Sequence, residues 1–145
     1  MRYWIFQCNP KRFNLDARLG NPNSTTTWTV NQHKAEIAEG DQAFIWQAGP
    51  HRGLRAIMQI DSDPADIPET AIDAPYWADL RDRALTCRVR GTFTSRFPVV
   101  AARKIAEAPG LQDLLFLRVP RGTNFPLSED QADALLELLR HLGAA

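Results

Sequence analysis

Cysteine is scarce in this chain. Cys8 and Cys87 are the only two in 145 residues, and their separation fits neither a CxxC redox pair nor a zinc knuckle. A disulfide-dense scaffold is thereby excluded, and both thiols are expected to be reduced. Nor does the chain need such staples, because a domain of this length buries roughly 70% of its unfolded surface. Long hydrophobic runs are missing too. None exceeds five residues, with the run at 114–117 typical, far short of the roughly 20 that span a bilayer. The opening Met1-Arg2-Tyr3-Trp4-Ile5-Phe6 carries no extended apolar leader and no small-residue cleavage site. The expectation is a soluble cytoplasmic protein, one domain over 1–145, with no membrane partner.

An excess of charge of one sign is also absent. Lys+Arg and Asp+Glu both number 17, which excludes a uniformly basic nucleic-acid coat. Catalytic signatures are missing as well. There is no GxxxxGK(S/T) phosphate loop, since the stretch 49–53 lacks both the lysine and the helix start, and there is no GxSxG elbow. His33, His51 and His141 stand outside any HxH or HExxH array. Asp61 and Asp63 could approach a metal, but loop carboxylates are ordinarily solvated. No catalytic residue, metal or cofactor is assigned.

What remains is the supply of a globular domain, with 44% hydrophobic and 23% charged residues. Charge is balanced overall and segregated locally. Residues 61–80 hold six acidic side chains and no basic one, whereas 81–122 hold nine basic against three acidic. Such a chain can present a positive face despite its zero sum. Arginine outnumbers lysine 14 to 3, which suits bidentate phosphate contacts and equally follows from codon bias.

Periodicity predicts the elements. Residues 2–7 are aromatic and β-branched, a strand ended by Asn9-Pro10. Residues 13–19 predict a short helix stopped by Gly20, and 33–37 another, polar one. The run 43–48 reads as a strand buried on both faces, returning through the turn 49–53 to a second strand at 54–60. Three prolines make 61–80 an irregular connection. Along 83–97, Leu85, Cys87, Val89 and Phe93 alternate with Arg88, Arg90, Thr92 and Thr94, giving one apolar and one basic face. Residues 101–108 predict a short helix, and 111–119 admit either helix or strand. Ser128 with Gln131 makes a capping box. Ala132, Leu135, Leu136, Leu139 and Leu142 then recur at helical spacing up to the stop at Gly143. The sum is α+β: a curved, mostly antiparallel sheet with short helices around it.

The chemistry offered is aromatic rings beside polar turns. Trp28 follows a Ser/Thr run read as a loop, Trp46 precedes Gln47-Ala48-Gly49, and Phe125 lies within Thr123-Asn124-Phe125-Pro126. Rings that stack and amides that read an edge are what a pocket for an extruded base requires. A ring in a small sheet protein serves the core as readily, and Trp4 and Phe6 are read that way. Trp77 is read as pinning the acidic connection. Lys34, Arg52, Arg55, Arg88 and Arg90 are candidates for phosphate contacts, with an ordinary solvated sheet face as the alternative.

An ordered set of short motifs resembles a known family. Tyr3-Trp4-Ile5-Phe6-Gln7 with Asn9-Pro10-Lys11 is similar to the opening of EVE domains, in the PUA-like superfamily. Trp28-x-Val30, Gln32-His33-Lys34, Ile37 and Gly40-Asp41 continue the likeness. So do Phe44-Ile45-Trp46-Gln47-Ala48-Gly49 with Gly53 and Ala56, and Gly122-Thr123-Asn124-Phe125-Pro126-Leu127. The resemblance implies a PUA-like β-barrel with a C-terminal helix, related to YTH readers of methylated adenine. It implies a non-enzymatic module that captures a modified base of DNA or RNA in an aromatic-lined pocket. By position, Trp28 would stack on the base. Trp46, Gln47 and Gly49 would line the pocket from the hairpin, with Asn9, Pro10 and Asn124 at its rim and Phe125 beside them. A separate effector nuclease is the partner that a standalone reader would serve. Two rivals stand beside this reading: a PUA-like RNA binder that contacts backbone alone, and an enzyme acting on a nucleotide-like small molecule.

Overall fold

The opening hexapeptide is strand β1 (Tyr3–Cys8), and the sheet is built around it. In this computed structural model, which describes residues 1–114 and 121–144, β1 pairs in parallel with β3 (Gln42–Gln47) and antiparallel with β7 (Asn124–Leu127). The hairpin read from the turn at 49–53 is present, since β3 pairs antiparallel with β4 (Gly53–Ile60). Its turn uses Gly49 at φ +96°, a left-handed conformation that glycine adopts without strain. The 16-residue β6 (Thr86–Ala101) is longer than its sequence signal at 83–97 at one end and shorter at the other. It pairs antiparallel with β4, with β2 (Thr25–Thr29) and with the short β5 (Ala65–Ile67). The order is β2-β6-β4-β3-β1-β7, with β5 beside β6.

This seven-stranded sheet is open, which corrects the expected barrel. β2 and β7 end the path without a ladder between them. Side-chain amides bridge the two edges instead. Asn124 at the start of β7 donates Nδ2 to the Thr29 carbonyl (3.2 Å). Its Oδ1 accepts the backbone N–H groups of Asn31 (2.8 Å) and Gln32 (3.3 Å). Gln32 reciprocates, its Oε1 accepting from the backbone of Thr123 (2.8 Å) and Asn124 (3.0 Å). The sheet therefore curls until its edges face each other, and a seam replaces the missing ladder.

Alternation along the strands sorts side chains into two cores. Ile5, Phe44 and Trp46 face one side with Phe97 and Ile105, under α3 (Glu129–His141), which contributes Ala132, Leu135 and Leu139. Trp4, Phe6 and Cys8 face the other with Trp28, Val30, Val89 and Phe93, capped by Leu15 and Leu19 of α1 (Leu15–Gly20). Register shifts in the β3–β4 and β4–β6 pairings bend the sheet between the two cores. The close β4–β6 approach explains Gly91, where an added Cβ would lie 2.6 Å from the Met58 sulfur. The helix α2 (Ala102–Glu107) follows β6 as read. The capping box of α3 is present, with Ser128 Oγ accepting from the Gln131 N–H (3.1 Å) and Gln131 Oε1 from the Ser128 N–H (2.9 Å).

The connections depart from the sequence reading. No helix forms over 33–37, only a turn in which the N–H groups of Glu36 and Ile37 both reach the His33 carbonyl. His33 takes φ +58°, outside the right-handed helical region, so a helix cannot start from it. Residues 61–80 are not featureless: they hold β5 and a 3-10 turn at Ala74–Tyr76, with a second at Leu80–Arg83 straddling the boundary. Between them Asp73, fully buried, pairs with the equally buried Arg18. Its other oxygen accepts from Thr26 Oγ1 (2.7 Å) and the Thr27 N–H (2.9 Å). Most of the stretch expected to be helix or strand at 111–119 lies outside the described residues. Among those described, no helix is long and apolar enough to cross a membrane.

Candidate functional site

Where the sheet fails to close, a cleft of about 660 Å³ opens, within the range of small-ligand sites. One wall is the end of β1 (Gln7, Cys8, Asn9) with Gly122 and Thr123, and another is Thr27, Trp28 and Thr29 of β2 with Asn31 and Gln32. Phe13, Trp77 and the segment 81–86 make the third side. The seam bonds between Gln32 and Thr123 thus cross the cleft's own lining. Asn124, 2% exposed, fixes the seam from behind.

The walls combine rings and amides. Trp28 is only 8% exposed and lies stacked on Phe6 with ring centroids 6.5 Å apart, so it is a rigid plate rather than a mobile arm. Trp77 meets Phe13 edge-to-face at 4.8 Å and donates its indole N–H to Glu69 (2.7 Å). Glu69 also accepts from Thr27 Oγ1, which ties the Trp77 wall to β2. Because Gln32 Oε1 already holds two backbone donors, its amide nitrogen is left as a donor. Asn9 Oδ1 accepts from the Lys11 N–H (3.0 Å), which likewise leaves its Nδ2. Asn31 gives Nδ2 to Thr123 Oγ1 (2.8 Å) and keeps Oδ1 as an acceptor. Two donors and an acceptor therefore line a ring-walled cleft, the equipment for reading the edge of a flat heterocycle.

Three ionisable groups near the cleft are displaced from their ordinary values. Burial pushes the Cys8 thiol up to about 12, so a thiol lining the cleft is held neutral and unreactive. At the rim, hydrogen bonds from the Arg81 side chain and backbone lower Asp79 to about 2. Arg81 is raised in turn, chiefly by its side-chain bond to Asp79. Among the described residues, no cluster of three or more His, Cys, Asp or Glu is placed to hold a metal.

The structure brings only part of the expected constellation together. Trp28 and Asn9 line the cleft, although Trp28 lies on β2 rather than in a loop. Trp46 and Phe125 belong to the core on the opposite face of the sheet, under α3. The reason is the two-residue period of β3, which sends Trp46 and Ile45 to different faces. Gln47 is engaged within its hairpin, donating to the His51 carbonyl (2.6 Å) and accepting from Arg55 Nη1 (2.8 Å). Gly49 lies against Pro10, whose Cγ is 3.6 Å from where a Cβ would sit, and neither borders the cleft. Asn124 acts through the seam rather than at the surface.

The basic candidates divide. Lys34, Arg52 and Arg90 are exposed. Arg55 is bound to Gln47, to Asp16 (2.9 Å) and to the Phe97 carbonyl. Arg88 is 1% exposed and donates to the carbonyls of Ile67, Ala84 and Asp82. This corrects the expectation of a basic face at Arg88, because β5 and the Leu80–Arg83 turn fold over that end of β6. The sequence reading missed Gln7, Arg12, Asn31, Gln32, Trp77 and Arg81 as cleft residues. Gln32 and Gly122-Thr123 stood within the recognised motifs, so a signal for the seam was there.

The EVE domain family matches residues 2–138. No curated protein matches. Solved structures repeat the fold over nearly the whole chain. A hypothetical protein from Leishmania major superimposes with TM-score 0.72 at 16% identity, covering 99% of this chain and 97% of that one. Rpa0253 from Rhodopseudomonas palustris gives 0.69 at 16% identity, covering 98% and 95%. The human THYN1 protein, solved in complex with 5-methylcytosine-containing DNA, gives 0.66 at 15% identity, covering 95% and 97%.

Proposed function

This chain belongs to the EVE domain family, and from that premise we propose that it is a non-enzymatic nucleic-acid-binding module that takes a modified base into the seam cleft. The observation that carries the reading is the cleft itself, where Trp28, Phe13 and Trp77 stand beside the amides of Asn9, Asn31 and Gln32. Trp28 is the stacking plate, and the free amide groups read the base edge. The DNA complex of the human THYN1 protein, which contains 5-methylcytosine, supports nucleic acid as the ligand class and a methylated base as the mark, with a hydroxymethylated base as the polar variant. A module of this kind acts by recruitment, so its partners are the marked strand and a separate effector such as a nuclease.

Energetics bound what the cleft can achieve. Burying one methyl is worth about 0.8 kcal/mol, roughly a fourfold preference. Stacking contributes about 1–3 kcal/mol per base. A polar mark matched by an amide discriminates more sharply, because the unmarked base leaves that amide unpaired.

The test is a titration of tryptophan fluorescence with short oligonucleotides that are unmodified or carry 5-methylcytosine, 5-hydroxymethylcytosine or N6-methyladenine. Saturable quenching by one mark, lost in a folded Gln32→Ala variant, is expected. Equal, salt-sensitive binding of all of them would replace the base reader with a backbone binder.

A further inference from the structure

Several arginines of this protein are engaged in holding it together. Arg18, Arg88 and Arg96 give their guanidinium groups to buried carboxylates or backbone carbonyls. Two at the cleft differ. Arg12 and Arg81 both line it, with side chains 63% and 90% exposed. Each is held only by an acidic neighbour on the same rim. Arg12 Nη2 meets Asp82 Oδ1 (2.5 Å). Arg81 reaches both oxygens of Asp79, through Nε at 3.2 and 3.0 Å and Nη2 at 2.7 Å. Exposed ion pairs of this kind are worth about 0–1 kcal/mol, so they yield readily to a stronger partner.

We propose that Arg12 and Arg81 form a phosphate clamp at the mouth of the cleft, gripping the phosphodiesters of the strand whose base enters it. The inference rests on the base-reading function above and extends it to the backbone. The two non-bridging oxygens of a phosphodiester accept a guanidinium in a bidentate manner, as a carboxylate does. In the free protein Asp79 and Asp82 occupy the two guanidinium groups, keep the rim close to neutral and repel phosphate. Binding is therefore an exchange of partners, and the acidic pair sets its affinity from below. The clamp also gives the protein a sequence-independent component that places the strand before any base is read.

The clamp and the base reading are separable by salt. Affinity for a single DNA strand carrying one 5-methylcytosine, and for its unmodified twin, is measured against salt concentration in the wild type, in Arg12→Gln, in Arg81→Gln and in the double variant. Each lost contact lowers the slope of log affinity against log salt by about 0.7 on single strands. It does so equally on both strands and leaves their ratio unchanged. Asp79→Asn and Asp82→Asn are expected to tighten binding about two- to fivefold, which a merely structural role for these carboxylates would not do. An unchanged slope in the double variant overturns the clamp, even where the marked strand is still preferred. Equal wild-type affinity for the two strands counts against reading of this mark, while the slopes still decide the clamp. No binding of either strand at low salt overturns both.

Discussion

Asn124→Ala would cut the seam that stands in for the missing ladder. Asn124 is 2% exposed and closes three hydrogen bonds, two accepted from the backbone of Asn31 and Gln32 and one donated to Thr29. At a net value of about 1 kcal/mol each, the substitution costs about 3 kcal/mol, before any penalty for the groups left dry. For a chain of this size that lowers the melting temperature by roughly 6–12 °C. Urea denaturation gives the free energy, and hydrogen exchange gives its location. The amides of Asn31 and Gln32 are expected to lose protection while those of the β3–β4 hairpin exchange as before. Asn124→Asp keeps the two acceptor bonds and loses the donor, so its exchange pattern falls between. A loss below about 0.5 kcal/mol, with Asn31 and Gln32 still protected, would refute the argument that amides hold the sheet edges together.

Other consequences follow from the same geometry. Arg18→Ala strands Asp73 in the interior without its partner, and a cost of about 3–5 kcal/mol is expected in chemical denaturation. Cys8, raised from 9.0 to about 12 by burial, should react with thiol reagents at pH 8 far more slowly than in the unfolded chain, because the thiolate is the reactive form. Because the fold favours the neutral thiol, its contribution to stability is complete below pH 9.0 and is lost as pH rises toward about 12. Asp79, lowered to about 2, should remain ionised through mild acid in an NMR titration. Its contact with Arg81 is present above the ordinary carboxylate range and is lost as pH falls through about 2.

Local patterns announced themselves in the sequence, whereas contacts between distant segments did not. β1, the β3–β4 hairpin and α3 were legible because alternation, a glycine turn and a capping box are written within a few residues of one another. The same alternation assigns side chains to two faces without saying which face meets which partner. Trp46 and Trp28 were accordingly both read as pocket residues, yet they belong to opposite cores. Arg88 read as part of a basic face because the strand that covers it, β5, lies in an acidic stretch with no periodic signal. The barrel expectation missed for a related reason. Closure depends on whether β2 and β7 exchange backbone bonds, and here residues more than 90 positions apart meet through side-chain amides instead. Rim arginines are invisible in composition, since the ones that hold the fold together and the ones that stay available share a single letter.

Everything proposed for this protein turns on the seam cleft receiving the base. A proton–nitrogen NMR titration with a marked oligonucleotide tests it most directly, because it reports the Trp28 indole N–H and the side-chain amides of Asn9, Asn31 and Gln32 in one spectrum. Saturable shifts concentrated on those four groups, absent with the unmodified strand, are the predicted result. Shifts running along Lys34, Arg52 and Arg90 with the cleft signals unmoved would contradict it.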